Sequence, residues 1–149
     1  MSSKKTLHAA CHAYVQQRID AAQHAMQAAQ ESANNETKSS AGDKYETGRA
    51  MAQEERNRNA VQLQEALKLQ AELARIDPEK PCDTVRPGAL VQTSLGLFYL
   101  SISAGKLVVD GKECFAVSAA APIAVALSGK RSGEEALFSG KKIRVEKIV

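Results

Sequence analysis

Leu7, Cys11, Val15, Ile19, Ala22, Met26, Ala29 and Ala33 recur at steps of three or four residues. An apolar stripe of that period over that length fits one long amphipathic helix and nothing shorter. The spacing predicts a helix from about Lys5 to Asn34, with Ser2 or Ser3 as its cap. Beyond Ile19 the stripe shrinks to Ala and Met, so a partner helix can approach closely there. Asn34 and Asn35 compete for local backbone hydrogen bonds and should weaken the helix where they stand.

A second stripe, Leu63, Ala66, Leu69 (or Gln70), Leu73 and Ile76, predicts a helix from about Asp43 to Ile76, with Val61 and Leu67 alongside its apolar face. Between Gln53 and Asn59 it holds no apolar residue. The end near residue 76 is therefore well anchored, and the other end is polar. At 1.5 Å per residue, two helices of about 30 residues each make a hairpin roughly 45 Å long. Residues 34–48 form its tip. The sequence thus divides into an antiparallel coiled-coil hairpin over 1–77, a linker over 78–88 and a C-terminal domain over 89–149.

Pro78, Pro81 and Pro87-Gly88 restrict the linker backbone. After them the period changes. Ala89–Thr93, Leu97–Ser103, Lys106–Val109 and Glu113–Ser118 read as short strands, with Asp110-Gly111 as a hairpin turn. Pro122–Leu127 reads as one short helix opened by proline and ended by Gly129. Ala136–Phe138 and Lys142–Ile148 supply two last strands. The expected class is α+β: a helical hairpin followed by a small antiparallel β domain with one short helix.

The totals exclude several functions. The 149 residues carry three tyrosines, three phenylalanines and no tryptophan, which is little bulk for a large core. The three cysteines are widely spaced without a CxxC pair, which argues for reduced thiols rather than a disulfide framework. No apolar run follows Lys4-Lys5, and no stretch approaches the ~20 apolar residues of a membrane span. A soluble, cytoplasmic protein without membrane contact is expected, and the sparse apolar face near the tip favours a monomer. Through Asp77, ten Lys and Arg balance ten Asp and Glu; from Pro78 onward ten stand against seven, so the net +3 lies in the second part. That excess permits an acidic or polyanionic partner without requiring one.

Four constellations carry chemistry. Asp43 and Glu46, three apart, share a helix face and offer two carboxylates to one cation; Mg²⁺ is commonly held by one or two carboxylates together with phosphates and water. The same spacing also suits an N-cap with a carboxylate reaching back, and the two roles are compatible. His8, Cys11 and His12 lie within one helical turn and offer a metal set, or else core and surface positions. Arg49, Arg56 and Arg58 stand beside the tip, fit to follow phosphates or an acidic wall, or to pair with Glu54 and Glu55. Lys130, Arg131, Lys141, Lys142, Arg144 and Lys147 make the C-terminal end basic, as a binding patch or as a strand edge blunted by lysine. All three histidines fall in the first helix, so no Ser/His/Asp or Cys/His nucleophile assembles, and no glycine-rich phosphate loop is present.

Phe115-Ala116-Val117-Ser118, then Ala121 through Lys130, then Ser132-Gly133, resembles the "ISVxSPIARALIGKKxGD" segment of Gre-type transcript cleavage factors. Gly42-Asp43-Lys44-Tyr45-Glu46-Thr47 is similar to their tip motif "GDxxEN". Ala121 stands where the family has Ser, and Glu134 where it has Asp. The match in architecture spans nearly the whole chain; the specific motifs cover about 25 residues. The resemblance, to the family or to a divergent paralogue within it, implies an FKBP-like C-terminal domain. It further implies that the protein binds RNA polymerase at its secondary channel and meets nucleic acid only through that complex. The hairpin would deliver Asp43 and Glu46 to help hold a catalytic Mg²⁺ while the polymerase cuts its own backtracked transcript. The chain would then be an accessory factor in transcription elongation, with no active site of its own. Arg49, Arg56, Pro122, Ile123, Lys130 and Arg131 would be partner-binding residues. Three other readings stay open. One is a channel-occupying modulator of polymerase without cleavage; the others are a peptidyl-prolyl isomerase and a plain coiled-coil adaptor.

Overall fold

The computed structural model describes residues 4–38 and 43–149, and at positions 33, 35–38 and 43–46 it describes the helical backbone alone. Two long helices come first, α1 (Lys4–Lys38) and α2 (Asp43–Ala74). Then follow β1 (Leu90–Thr93), β2 (Gly96–Leu100), β3 (Gly105–Val109), β4 (Lys112–Val117), α3 (Pro122–Leu127), β5 (Glu135–Phe138) and β6 (Lys141–Ile148). The α+β class expected from the sequence is what forms. Helix α1 runs past Asn34 to Lys38, beyond its expected end. Each Asn costs well under 1 kcal/mol in a helix that already exists, and elongation continues to add a hydrogen bond per residue. Helix α2 stops at Ala74, two residues earlier than expected. Its end tightens into i→i+3 bonds, Arg75 N–H to Glu72 O at 3.2 Å and Ile76 N–H to Leu73 O at 3.1 Å. Asp77 Oδ1 then accepts from Glu79 N–H at 2.9 Å, turning the chain through Pro78.

By contacts the chain forms two compact units, one of Val15–Lys68 and one of Met1–Tyr14 with Leu69–Val149. In the first, Val15, Ile19, Ala22 and Ala29 of α1 and Ala52 and Ala66 of α2 are buried. Arg18 of α1 reaches Gln62 at 3.5 Å and Glu65 at 3.9 Å on α2, as antiparallel helices require. Val61 and Leu67, expected beside the apolar face, are exposed. The buried residues of this unit are mostly alanines, and they leave a gap of about 240 Å³ lined by Arg18, Ala21, Ala22, Asn59 and Gln62. The Asn59 amide nitrogen is buried there without a hydrogen-bond partner, which costs about 1–3 kcal/mol.

The second unit is built on a six-stranded sheet in the order β3-β4-β2-β1-β6-β5. Four neighbouring pairs are antiparallel. The fifth, β2 with β4, is parallel, with Tyr99 opposite Ala116. This corrects the expectation of a purely antiparallel domain. The reason is that β3 does not fold back on β2; it crosses to the outside of β4, and a parallel neighbour needs such a crossover. The Asp110-Gly111 turn forms as the sequence predicts, both residues at positive φ (53° and 77°), the signature of a tight β3–β4 hairpin.

The sheet is buried on both faces at β1 and the end of β2, while most of β3 and alternate positions of β4, β5 and β6 are exposed. On one face Val91, Phe98, Leu100, Ile143 and Val145 pack with Ala124 and Leu127 of α3 and with Val85 and Ala89. Proline at the first position of α3 costs nothing, and the Ala121 cap makes no side-chain hydrogen bond. The end of α3 is tied to the linker: Gly129 N–H donates to Val85 O at 2.8 Å, and Val85 N–H to Lys130 O at 2.9 Å. Tyr99, Cys114 and Ala116 belong to the opposite face and are buried with Leu7, His8 and Cys11 of α1.

Candidate functional site

The acidic pair at the tip lies on the first turn of α2. Asp43 opens that helix and its backbone is helical through Glu46, so the two positions are one turn apart. Their side chains lie outside the described residues. Arg49 and Arg58, further along α2, are exposed, and Arg56 is half-buried.

The other partner-binding candidates gather around α3 in the sheet unit. Pro122 begins the helix and is exposed; Ile123 is half-buried and packs on the core. Lys130 is half-buried in the turn after α3. Its neighbour Arg131 is exposed, its N–H donates to Glu134 Oε1 at 3.0 Å, and it forms a bridge with Thr84. The basic strand is placed differently from one of its two readings. Lys142, Arg144 and Lys147 are on β6, which lies between β1 and β5 and is not an edge. Their role there is not to blunt an exposed strand. Of the actual edge strands, β3 carries a lysine, Lys106, which pairs across to Glu113 at 2.8 Å.

His8, Cys11 and His12 do not form a metal set. His8 Nδ1 is 2.8 Å from Tyr99 Oη, and Cys11 Sγ is 3.7 Å from Ser101 Oγ. Burial pushes the Cys11 thiol up and lowers the His8 imidazole, the latter also pressed by His12 and partly offset by Asp77. Such groups stay neutral and serve packing. Among the described residues no group of three or more His, Cys, Asp or Glu is arranged to hold a metal ion. Cys114 joins this cluster, its thiol pushed up to about 12, chiefly by burial. Cys11 and Cys114 are buried, Cys82 is half-exposed and packs on the opposite core, and all three are free thiols.

Phe98 and Phe115 lie 5.8 Å apart on one face and Phe138 packs on the same core as Phe98, while the neighbouring Tyr99 points to the other face. The sheet unit does hold one cleft of about 710 Å³, lined by the last turn of α2, the linker and the loop after β4. Arg75, Lys80, Arg86 and Ser118 meet there; sequence reasoning missed them because they follow no motif and are joined only by the fold.

The fold defines a class: a pair of long helices followed in sequence by a mixed six-stranded sheet with one short helix. No protein-family model matches the sequence, and no curated protein matches it. Among solved structures, the chain is similar to the GreA factor homolog 1 (Gfh1) protein of Thermus thermophilus, with 19% identity over 91% of this chain and 92% of that one, TM-score 0.35. A second structure, of the transcription factor Gfh1, shows 20% identity over 90% of each chain, again with a TM-score of 0.35. No helix among the described residues is long and apolar enough to cross a membrane.

Proposed function

We propose that this protein is an accessory factor of RNA polymerase, entering the secondary channel and stimulating cleavage of backtracked transcripts. The observation that carries the reading is how the Gre-like segment maps onto the fold. Phe115–Val117 end β4, Pro122–Leu127 form α3, and Ser132-Gly133 lie in the turn into β5, all in the unit that follows a pair of long helices. A motif that coincides with whole structural elements is better support than a chance string. Asp43 and Glu46, one turn apart at the start of α2, fit the chemistry of Mg²⁺: hard oxygen donors, too few to hold the ion alone. The polymerase and substrate phosphates would supply the other ligands, and a bound ion would supply charge stabilisation at the phosphodiester being hydrolysed. Arg49 and Arg56 follow the channel wall, and the surface of Pro122, Ile123, Lys130 and Arg131 docks on the enzyme. The chain acts as a factor rather than as an enzyme.

The test is transcript cleavage by a backtracked polymerase complex with Mg²⁺, comparing the wild type with Asp43→Ala/Glu46→Ala. Cleavage should accelerate with wild type only, with binding equal for both. Binding without acceleration by the wild type would replace this reading with that of a channel-occupying modulator. No binding to polymerase would remove both.

A further inference from the structure

We propose that the cleft beside the end of α2 is a binding site for a ribonucleotide, independently of any action on polymerase. It encloses about 710 Å³ within the sheet unit, a volume in the range of small-molecule sites. Three cations line it: Arg75, Lys80 and Arg86. None has a carboxylate within ion-pair distance among the described residues. Arg86 is held in place, its Nη2 donating to Pro81 O at 3.0 Å and its Nε to Cys82 Sγ at 3.4 Å. The rest of its guanidinium fork remains available for a phosphate. The Lys80 backbone is pinned as well, its carbonyl accepting from Lys4 Nζ at 2.8 Å. Ser118, Ala119 and Ala120 also line the cleft; among the described residues the Ser118 side chain has no partner and the Ala119 and Ala120 N–H groups make no backbone hydrogen bond. These add neutral donors for anionic oxygens.

Two carboxylates on the same lining, Glu72 and Asp77, decide the ligand class. They would repel a plain polyanion, but they are acceptors for the paired hydroxyls of a ribose, the role an acidic residue takes in dinucleotide sites. Asp77 has one oxygen committed to Glu79 N–H and the other available. An apolar strip of Ile76, Pro87 and Gly88 completes the lining and suits the flat face of a base. Gly88 is required there: its φ is +92°, and a Cβ would meet Ile76 Cγ2 at 3.3 Å. Cations for phosphate, carboxylates for ribose and an apolar bed for the base together match a ribonucleotide better than any of its parts.

The experiment is calorimetric titration of the full chain with ATP, dATP and inorganic tripolyphosphate at fixed ionic strength. Saturable ATP binding is expected, several-fold weaker for dATP and at least tenfold weaker for tripolyphosphate. Arg75→Ala/Arg86→Ala should lower ATP affinity at least tenfold, while Lys142→Ala/Arg144→Ala on β6 should leave it unchanged. Circular dichroism checks folding, and if the first double variant is unfolded, Lys80→Ala/Ser118→Ala replaces it with the same expected loss. No saturable binding up to millimolar ATP overturns the proposal. So does tripolyphosphate binding as tightly as ATP, or unchanged affinity in the cleft variant.

Discussion

Lys4 shows what one residue does for this fold. Only 5% exposed, it carries its ammonium to Lys80 O at 2.8 Å and Val149 O at 3.0 Å, joining the start of α1 to the linker and to the last residue of the chain. Removing this charged donor leaves Lys80 O with only the weak Cys82 thiol contact and Val149 O with the Leu90 N–H alone, a loss of about 1–3 kcal/mol. Lys4→Met should therefore lower the unfolding free energy by about that amount in urea denaturation at pH 7. His8 adds a pH dependence with a definite sign. Burial, reinforced by His12 and opposed by Asp77, holds its folded-state pKa below the ordinary 6.5. Between those two values the unfolded chain binds more protons, so stability falls as pH drops below about 6.5 and levels off once the folded state is protonated. Thermal melting from pH 7.5 to 5 should show that loss in the wild type and a flatter profile in His8→Gln, which keeps a side-chain partner for Tyr99.

Among the elements, α1 and α2 owe their existence to period and length, but their packing is uneven. Large apolar residues are buried near Val15 and Ile19, whereas further along α1 and α2 alanines are buried, with Asn59 unsatisfied beside the 240 Å³ gap. Replacing both the polar atom and the void with a side chain of similar length should help. Asn59→Leu is expected to raise the helical melting temperature, gaining about 1–3 kcal/mol from the removed unsatisfied amide. A lower melting temperature by circular dichroism at 222 nm would show that the gap serves something other than packing. In the sheet, the elements follow local chemistry closely. Asp110-Gly111 and Ser139-Gly140 adopt the positive φ values that tight hairpins need, and Pro122 begins α3.

For the whole molecule, the two units differ in what they bury. The sheet unit encloses Tyr99, Leu7, Leu73, Ile102, Leu127 and Ile143 almost completely. The unit of Val15–Lys68 encloses chiefly alanines, and burial per residue scales with apolar area. Hydrogen exchange should therefore be faster for amides of 50–62 in α2 than for those of β1, β2 and β4. Equal protection would mean that the helices gain stability from contacts beyond their buried alanines.

The sequence was enough to specify the helices, α3 and nearly every strand, because period, proline, glycine and Asp-Gly turns act over a few residues at a time. It also placed Asp43 and Glu46 on one turn of one helix, which is a local fact. Three other features were out of its reach. One was the parallel pairing of β2 with β4, since pairing order depends on where β3 crosses. A second was the interior place of β6, which removed the edge reading of its lysines. The third was the gathering of Arg75, Lys80, Arg86 and Ser118 in one cleft, and the burial of Cys11 and Cys114 on the Tyr99 side of the sheet. Each depends on segments tens of residues apart meeting across a sheet, and short-range propensity carries no information about such meetings.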